Sequence, residues 1–173
     1  MLTEMGAYEV EVARPFRVKR GRVVREGELE RSVTQALRSR AGATGVIVIL
    51  DADDDCPAEL ASKLCSRTSS FPVPVCVVLP KIETEAWILA SIESLQGQRG
   101  IRDDAVCPAD PEAIRDAKGA LSRCMQGSRG YVATDDQPAL LASMDLALAR
   151  KRSPSFAKLT RDLTALVDDI SDP

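Results

Sequence analysis

An α/β fold, with a short parallel sheet flanked by helices and a C-terminal helical subdomain, is predicted by three observations. Two aliphatic runs, Val46 to Leu50 and VPVCVVL at 73 to 79, have the length and β-branched content of strands buried on both faces. Segments with helical spacing stand before each of them, which is the strand-helix-strand alternation of a parallel sheet with right-handed crossovers. Beyond residue 97 the apolar residues recur at helical spacing only.

Tyr8 to Ala13, YEVEVA, alternates and predicts a first strand, with Glu9 and Glu11 on its wetter face. The stretch RPFRVKRGRVV, 14 to 24, holds Pro15 and Gly21 without a helical period, so an irregular crossing loop or a short ribbon is expected. Glu28 to Arg40 places Leu29, Val33, Ala36 and Leu37 on one face of a helix that Gly42 stops. The strand at 45 to 50 follows. Pro57 to Arg67 repeats the helical pattern through Leu60, Ala61 and Leu64, and the strand at 73 to 79 ends at Pro80. KIETEAWILASIESL then opens a helix with Ala86, Leu89, Ala90 and Trp87 inward and Glu83 and Glu85 at its start. After the loop from residue 97, helices are expected over Pro111 to Met125, Pro138 to Arg150 and Phe156 to Ile170, the last capped by Ser155. The expected organisation is an α/β core at 1–96 and a helical extension at 97–173, packed together as one compact domain.

Composition narrows the chemistry. The 173 residues include no histidine, which removes serine-histidine and cysteine-histidine triads, histidine bases and histidine metal ligands. Five cysteines form no CxxC pair, against a disulfide framework or structural zinc, and Cys65 and Cys76 read as packing residues. A net charge of −3 gives no global attraction to nucleic acid, but Arg14, Arg17, Lys19, Arg20, Arg22 and Arg25 put six cations into twelve residues. Phosphate contact and a solvated loop balancing an acidic neighbour are both open readings of that stretch. No apolar run has the roughly 20 residues of a membrane span, and the N-terminus lacks a signal-peptide pattern, so a cytoplasmic protein with no membrane partner is expected.

Asp51, Asp53, Asp54 and Asp55 stand at the carboxyl end of the central strand, where open parallel sheets bind ligands. Four carboxylates in five residues repel one another unless something screens them. In an extended segment residues 51, 53 and 55 project to one side, and a hard oxygen-seeking ion such as Mg²⁺ or Mn²⁺ suits Asp51, Asp53 and Asp55. Capping of the helix that begins at Pro57 is the other reading of Asp53 to Asp55. Glu83 and Glu85 reach the same sheet edge, either to assist there or to offset a helix dipole.

The phrases RPFRVKRG (14 to 21), GELERSV (27 to 33), DADDDCP (51 to 57), ETEAWILA (83 to 90), ADPEAIRDAKG (109 to 119) and DQPALLASMDLALARKRSPSF (136 to 156) together resemble a bacterial family, DUF4276, described as TOPRIM-like. The resemblance implies a TOPRIM-like fold, in which a glutamate after the first strand and a DxD after a later one jointly bind Mg²⁺ for phosphoryl transfer on nucleic acid. The DxD falls on Asp51 and Asp53. The glutamate's strand and helix, about 30 residues and longer than an ordinary loop, precede the part that resembles residues 1 to 13. The expectation is therefore either a start upstream of Met1 or a reduced, inactive form, with Mg²⁺ or Mn²⁺ held weakly. On this reading the chain is a metal-dependent nuclease or phosphotransferase using Asp51, Asp53, Glu83 and Glu85, with Arg17, Lys19, Arg20 and Arg22 on phosphates. The alternative is a non-catalytic partner subunit of an ATPase-linked, antiphage or mobile-element module. A homo-oligomer fits either.

Overall fold

The two aliphatic runs pair in parallel, Val46–Ile49 (β1) beside Val75–Val78 (β2), in the register Val46 to Val75 through Ile49 to Val78. The computed structural model describes residues 1–3 and 6–171, and the fold is α/β with helices flanking this two-stranded sheet. Besides β1 and β2 the chain forms α1 (Arg20–Val23), α2 (Glu28–Ser39), α3 (Pro57–Thr68), α4 (Glu85–Ala90), α5 (Ala117–Arg123), α6 (Ala133–Ser143), α7 (Leu146–Arg152) and α8 (Pro154–Ser171). Two 3-10 turns, Ile92–Leu95 and Pro111–Ala113, lie between α4 and α5. Two compact units result: Met1–Leu50 with Asp55–Leu79 and Leu159–Pro173, and Asp51–Asp54 with Pro80–Lys158.

In the first unit, α2 and α3 form as their spacing predicts, burying Leu29 and Val33 on one and Leu60 and Leu64 on the other. Gly42, just beyond α2, takes φ 84°, a left-handed value that suits glycine at a helix end. Arg67 joins the two helices: its guanidinium grips Glu30 through two bonds of 2.8 and 2.7 Å and donates to the carbonyls of Arg25 (2.8 Å) and Val24 (3.3 Å). This fork-to-fork pair is the geometry that arginine makes best with a carboxylate. From Leu159 onward α8 belongs to this unit, burying Leu159, Leu163 and Leu166. A side chain at Gly45 would stand 3.0 Å from Leu166 Cδ1, so glycine there admits the helix.

Four expectations fail in this unit. Residues 8–13 form no strand, and among the described residues the sheet has two strands rather than three, because alternation makes a strand only where a ladder partner exists. β1 is not buried on both faces, since Ile47 and Ile49 are exposed on alternate positions. The basic stretch is not irregular throughout, because Arg20–Val23 closes a helical turn that buries Val23. Cys65 is exposed and does not pack in a core.

In the second unit, all six residues of α4 are buried, and the indole of Trp87 meets Phe156 edge-on at 5.4 Å while donating to Ser155 Oγ at 2.8 Å. The segment after α4 is shorter in α-helix than expected, because Ser91 leaves helical geometry (φ −122°) and a 3-10 turn follows. The runs 111–125 and 138–150 are likewise each broken. Asp116 accepts the Gly119 amide to start α5, and Asp145 accepts the Ala147 and Leu148 amides to start α7. Ser155 does not cap α8: Ser153 Oγ accepts the Phe156 amide at 3.1 Å, while Ser155 donates to the buried carboxylate of Glu112 at 2.5 Å.

Candidate active site

The acidic segment Asp51–Asp54 belongs to the second unit. Ala52 N donates to the Pro80 carbonyl at 3.0 Å and Asp53 N to that of Ile82 at 3.3 Å, so the acidic segment runs beside the chain at 80–82. This places Asp51 against Thr84, whose amide and hydroxyl both donate to Asp51 Oδ1, at 2.9 and 2.7 Å. Two donors on one oxygen fix the plane of the carboxylate. Asp53 is exposed and takes φ 52°, a left-handed conformation that aspartate tolerates better than most residues and that turns the chain sharply beside Asp51.

Glu83 and Glu85 are drawn together by a residue that the sequence did not single out, Lys118. Its ammonium lies 2.5 Å from Glu83 Oε1 and 3.4 Å from Glu85 Oε2. Glu83 Oε2 also accepts the amides of Ala117 (2.9 Å) and Lys118 (3.3 Å), so this carboxylate holds the first turn of α5. Glu85 is 1 % exposed, and its Oε1 accepts Tyr131 Oη at 3.1 Å and Gln137 Nε2 at 3.2 Å. Burial alone would lower the Lys118 pKa, but the bond to Glu83 and the charge of Glu85 raise it above the ordinary lysine value. Burial, and then the Glu85 charge, push the Tyr131 phenol well up. Lys118 therefore stays cationic and Tyr131 stays a neutral donor.

The remaining predicted residues divide. Asp54 pairs with Arg115 at 2.7 Å on the open surface, and Asp55 belongs to the first unit, where it pairs with Arg20. Cys56 rather than an aspartate holds the N-cap position of α3, and its side chain makes no cap bond. Of the four cations expected to face phosphates, Arg20 is engaged by Asp55 and Arg22 by Glu28, whereas Arg17 and Lys19 are exposed. Among the described residues no three carboxylates or thiols are gathered to hold a metal ion.

A further buried carboxylate, Asp136, serves structure. Burial would raise its pKa, but Arg129 (2.7 Å), the Val132 amide (2.9 Å) and Arg99 (3.2 Å) hold it below the usual carboxylate value.

Thr84, Lys118, Tyr131 and Gln137 escaped the sequence reading. Thr84 stands between the two glutamates of ETE, and Lys118 lies in ADPEAIRDAKG, but no periodicity ties position 118 to position 83.

Comparison with curated proteins and with solved structures gives no match. The chain matches the family described as "Domain of unknown function (DUF4276)" over residues 4–164, nearly its whole length, and belongs to that family.

Proposed function

We propose that this protein cleaves or transfers nucleic-acid phosphodiesters with the help of a divalent cation, Mg²⁺ or Mn²⁺. The observation that carries this reading is the double donation from Thr84 to Asp51 Oδ1, which orients one carboxylate beside the turned Asp53. Such an arrangement is a typical support for a ligating carboxylate. The donor set fits a hard cation: Asp51 and Asp53 would hold it, with water filling most of a six-coordinate shell, so binding is weak. Bound there, the cation supplies Lewis acidity and a water of lowered pKa. Lys118, its charge fixed by Glu83 and Glu85 and its side chain 45 % exposed, supplies a cation for a phosphate oxygen. Glu83 and Glu85 then act by positioning Lys118. In the first unit, taken by itself, the exposed Arg17 and Lys19 are cations suited to a nucleic-acid backbone.

Titration calorimetry with Mn²⁺ tests the cation site. Wild type is expected to give weak saturable heat, Thr84→Ala to bind about tenfold more weakly because the supporting hydroxyl is gone, and Asp51→Asn to lose the heat. Equal heats from wild type and Asp51→Asn would remove the metal site. In parallel, Mg²⁺-dependent cleavage of single- and double-stranded DNA and RNA is expected to be slight from the 173-residue chain and absent from Asp53→Ala.

A second reading, a non-catalytic partner subunit, is favoured by one observation: both oxygens of Glu83 are consumed by α5 and Lys118, and among the described residues no third carboxylate joins Asp51 and Asp53. It predicts no cleavage and identical heats.

A further inference from the structure

The outer edge of β1 carries the inference, and it is independent of the acidic site. Val46 N donates to the Pro74 carbonyl at 3.0 Å and Leu50 N to that of Val78 at 3.1 Å, both toward β2. Amides along a parallel strand alternate in direction, so those of Ile47 and Ile49 point to the opposite edge. They meet no backbone partner among the described residues. Natural edge strands are blunted by charge, proline or a bulge; VIVI has none of these, and Ile47 and Ile49 are 40 % and 50 % exposed. β2 differs, since Val77 and Val78 are buried.

The same unit contains a segment with the converse deficit. YEVEVA, residues 8–13, has strand alternation and no strand, and its Tyr8 and Val12 are 74 % and 68 % exposed. Its six residues span about 20 Å when extended, enough to cover all of a four-residue strand of about 13 Å. Tyr8, Val10 and Val12 project to one side and match the Ile47 and Ile49 face, while Glu9 and Glu11 project to the other.

We propose that Tyr8 to Ala13 of a second copy adds as a strand to the outer edge of β1. Within one chain, Glu11 is held 4.0 Å from Arg40 beyond the end of α2 rather than along β1. Between two copies the exchange is reciprocal: each offers an edge and a strand, and a two-fold dimer satisfies both at once.

Light scattering after gel filtration, run from low to high micromolar concentration, tests this. Wild type is expected to shift from 18.7 kDa to twice that mass as concentration rises. Val10→Pro removes an amide and breaks pairing in a segment that bears no other element, so folding is not at stake. It is expected to hold 18.7 kDa throughout, and Ile49→Lys to do the same from the other partner. In hydrogen exchange the Ile47 and Ile49 amides are expected to gain protection on dimerisation and to lose it in Val10→Pro. A mass that stays at 18.7 kDa at every concentration, a dimer that survives Val10→Pro, or protection of these amides in the monomer would each overturn the proposal.

Discussion

Lys118 shows how much a single residue decides. Its ammonium compensates Glu85, a carboxylate sealed in the protein, and removing one partner of a buried pair costs 3–5 kcal/mol when both are fully buried, by the order of magnitude of ~4 kcal/mol for such losses. Solvent screens a side chain that is 45 % exposed, so Lys118→Met is expected to cost about 1–2 kcal/mol. Thermal melting is the check: a fall in Tm of several degrees is expected, and pairing the substitution with Glu85→Gln should recover part of it in a double-mutant cycle. No fall would mean that Tyr131 and Gln137 satisfy Glu85 alone. The sequence displayed Asp51, Glu83 and Glu85 openly as acids at a strand end. It concealed their fixed arrangement, because Thr84 reaches back across a ladder and Lys118 comes from a helix that is distant in sequence.

At the level of elements, local signals were readable wherever a segment decides its own conformation. α2, α3, β1 and β2 stand where periodicity and aliphatic runs put them. The helices after residue 110 are shorter than their apolar spacing predicts, since Asp116 and Asp145 interrupt runs whose spacing continues on either side. Both aspartates are ordinary N-cap residues, and giving that signal more weight than the spacing would have found the breaks. YEVEVA misled in the opposite way, its pattern being right for a strand that nothing in the described chain pairs. On α7, Asp145→Ala removes the acceptor for two amides and is expected to cost about 1 kcal/mol, or about 2–4 °C in Tm for a chain of this size. A melt that matches wild type would show that α7 is held by tertiary contacts alone.

The pH dependence of stability belongs to the whole molecule. Asp136, Glu93 and Glu30 have pKa values held below the ordinary ones, so their contribution is complete above the unfolded carboxylate range and is lost as pH falls through the folded values. Lys118 and Tyr131 have raised values. Their contribution is complete below the unfolded values, about 10 for both, and declines as pH rises beyond that, because the unfolded chain releases those protons first. Urea denaturation across pH is therefore expected to give a plateau that falls at an acidic edge below about pH 4 and at an alkaline edge above about pH 10. Asp136→Asn should flatten the first edge and Tyr131→Phe the second. Stability that continued to rise above pH 10 would contradict the assignment of Tyr131 as a donor to Glu85.

The interleaving of the two units also bears on how the chain is made. β1 and β2 are synthesised early, yet the unit to which they belong includes Leu159, Leu163 and Leu166 of α8. Residues 80–158 emerge from the ribosome before those leucines do. The later-coded unit thus has its full sequence first, while the earlier-coded one waits with its apolar face open. Contacts of such long sequence separation slow folding and prolong exposure of sticky surface. A nascent chain stalled before residue 159 is where a chaperone would find its client.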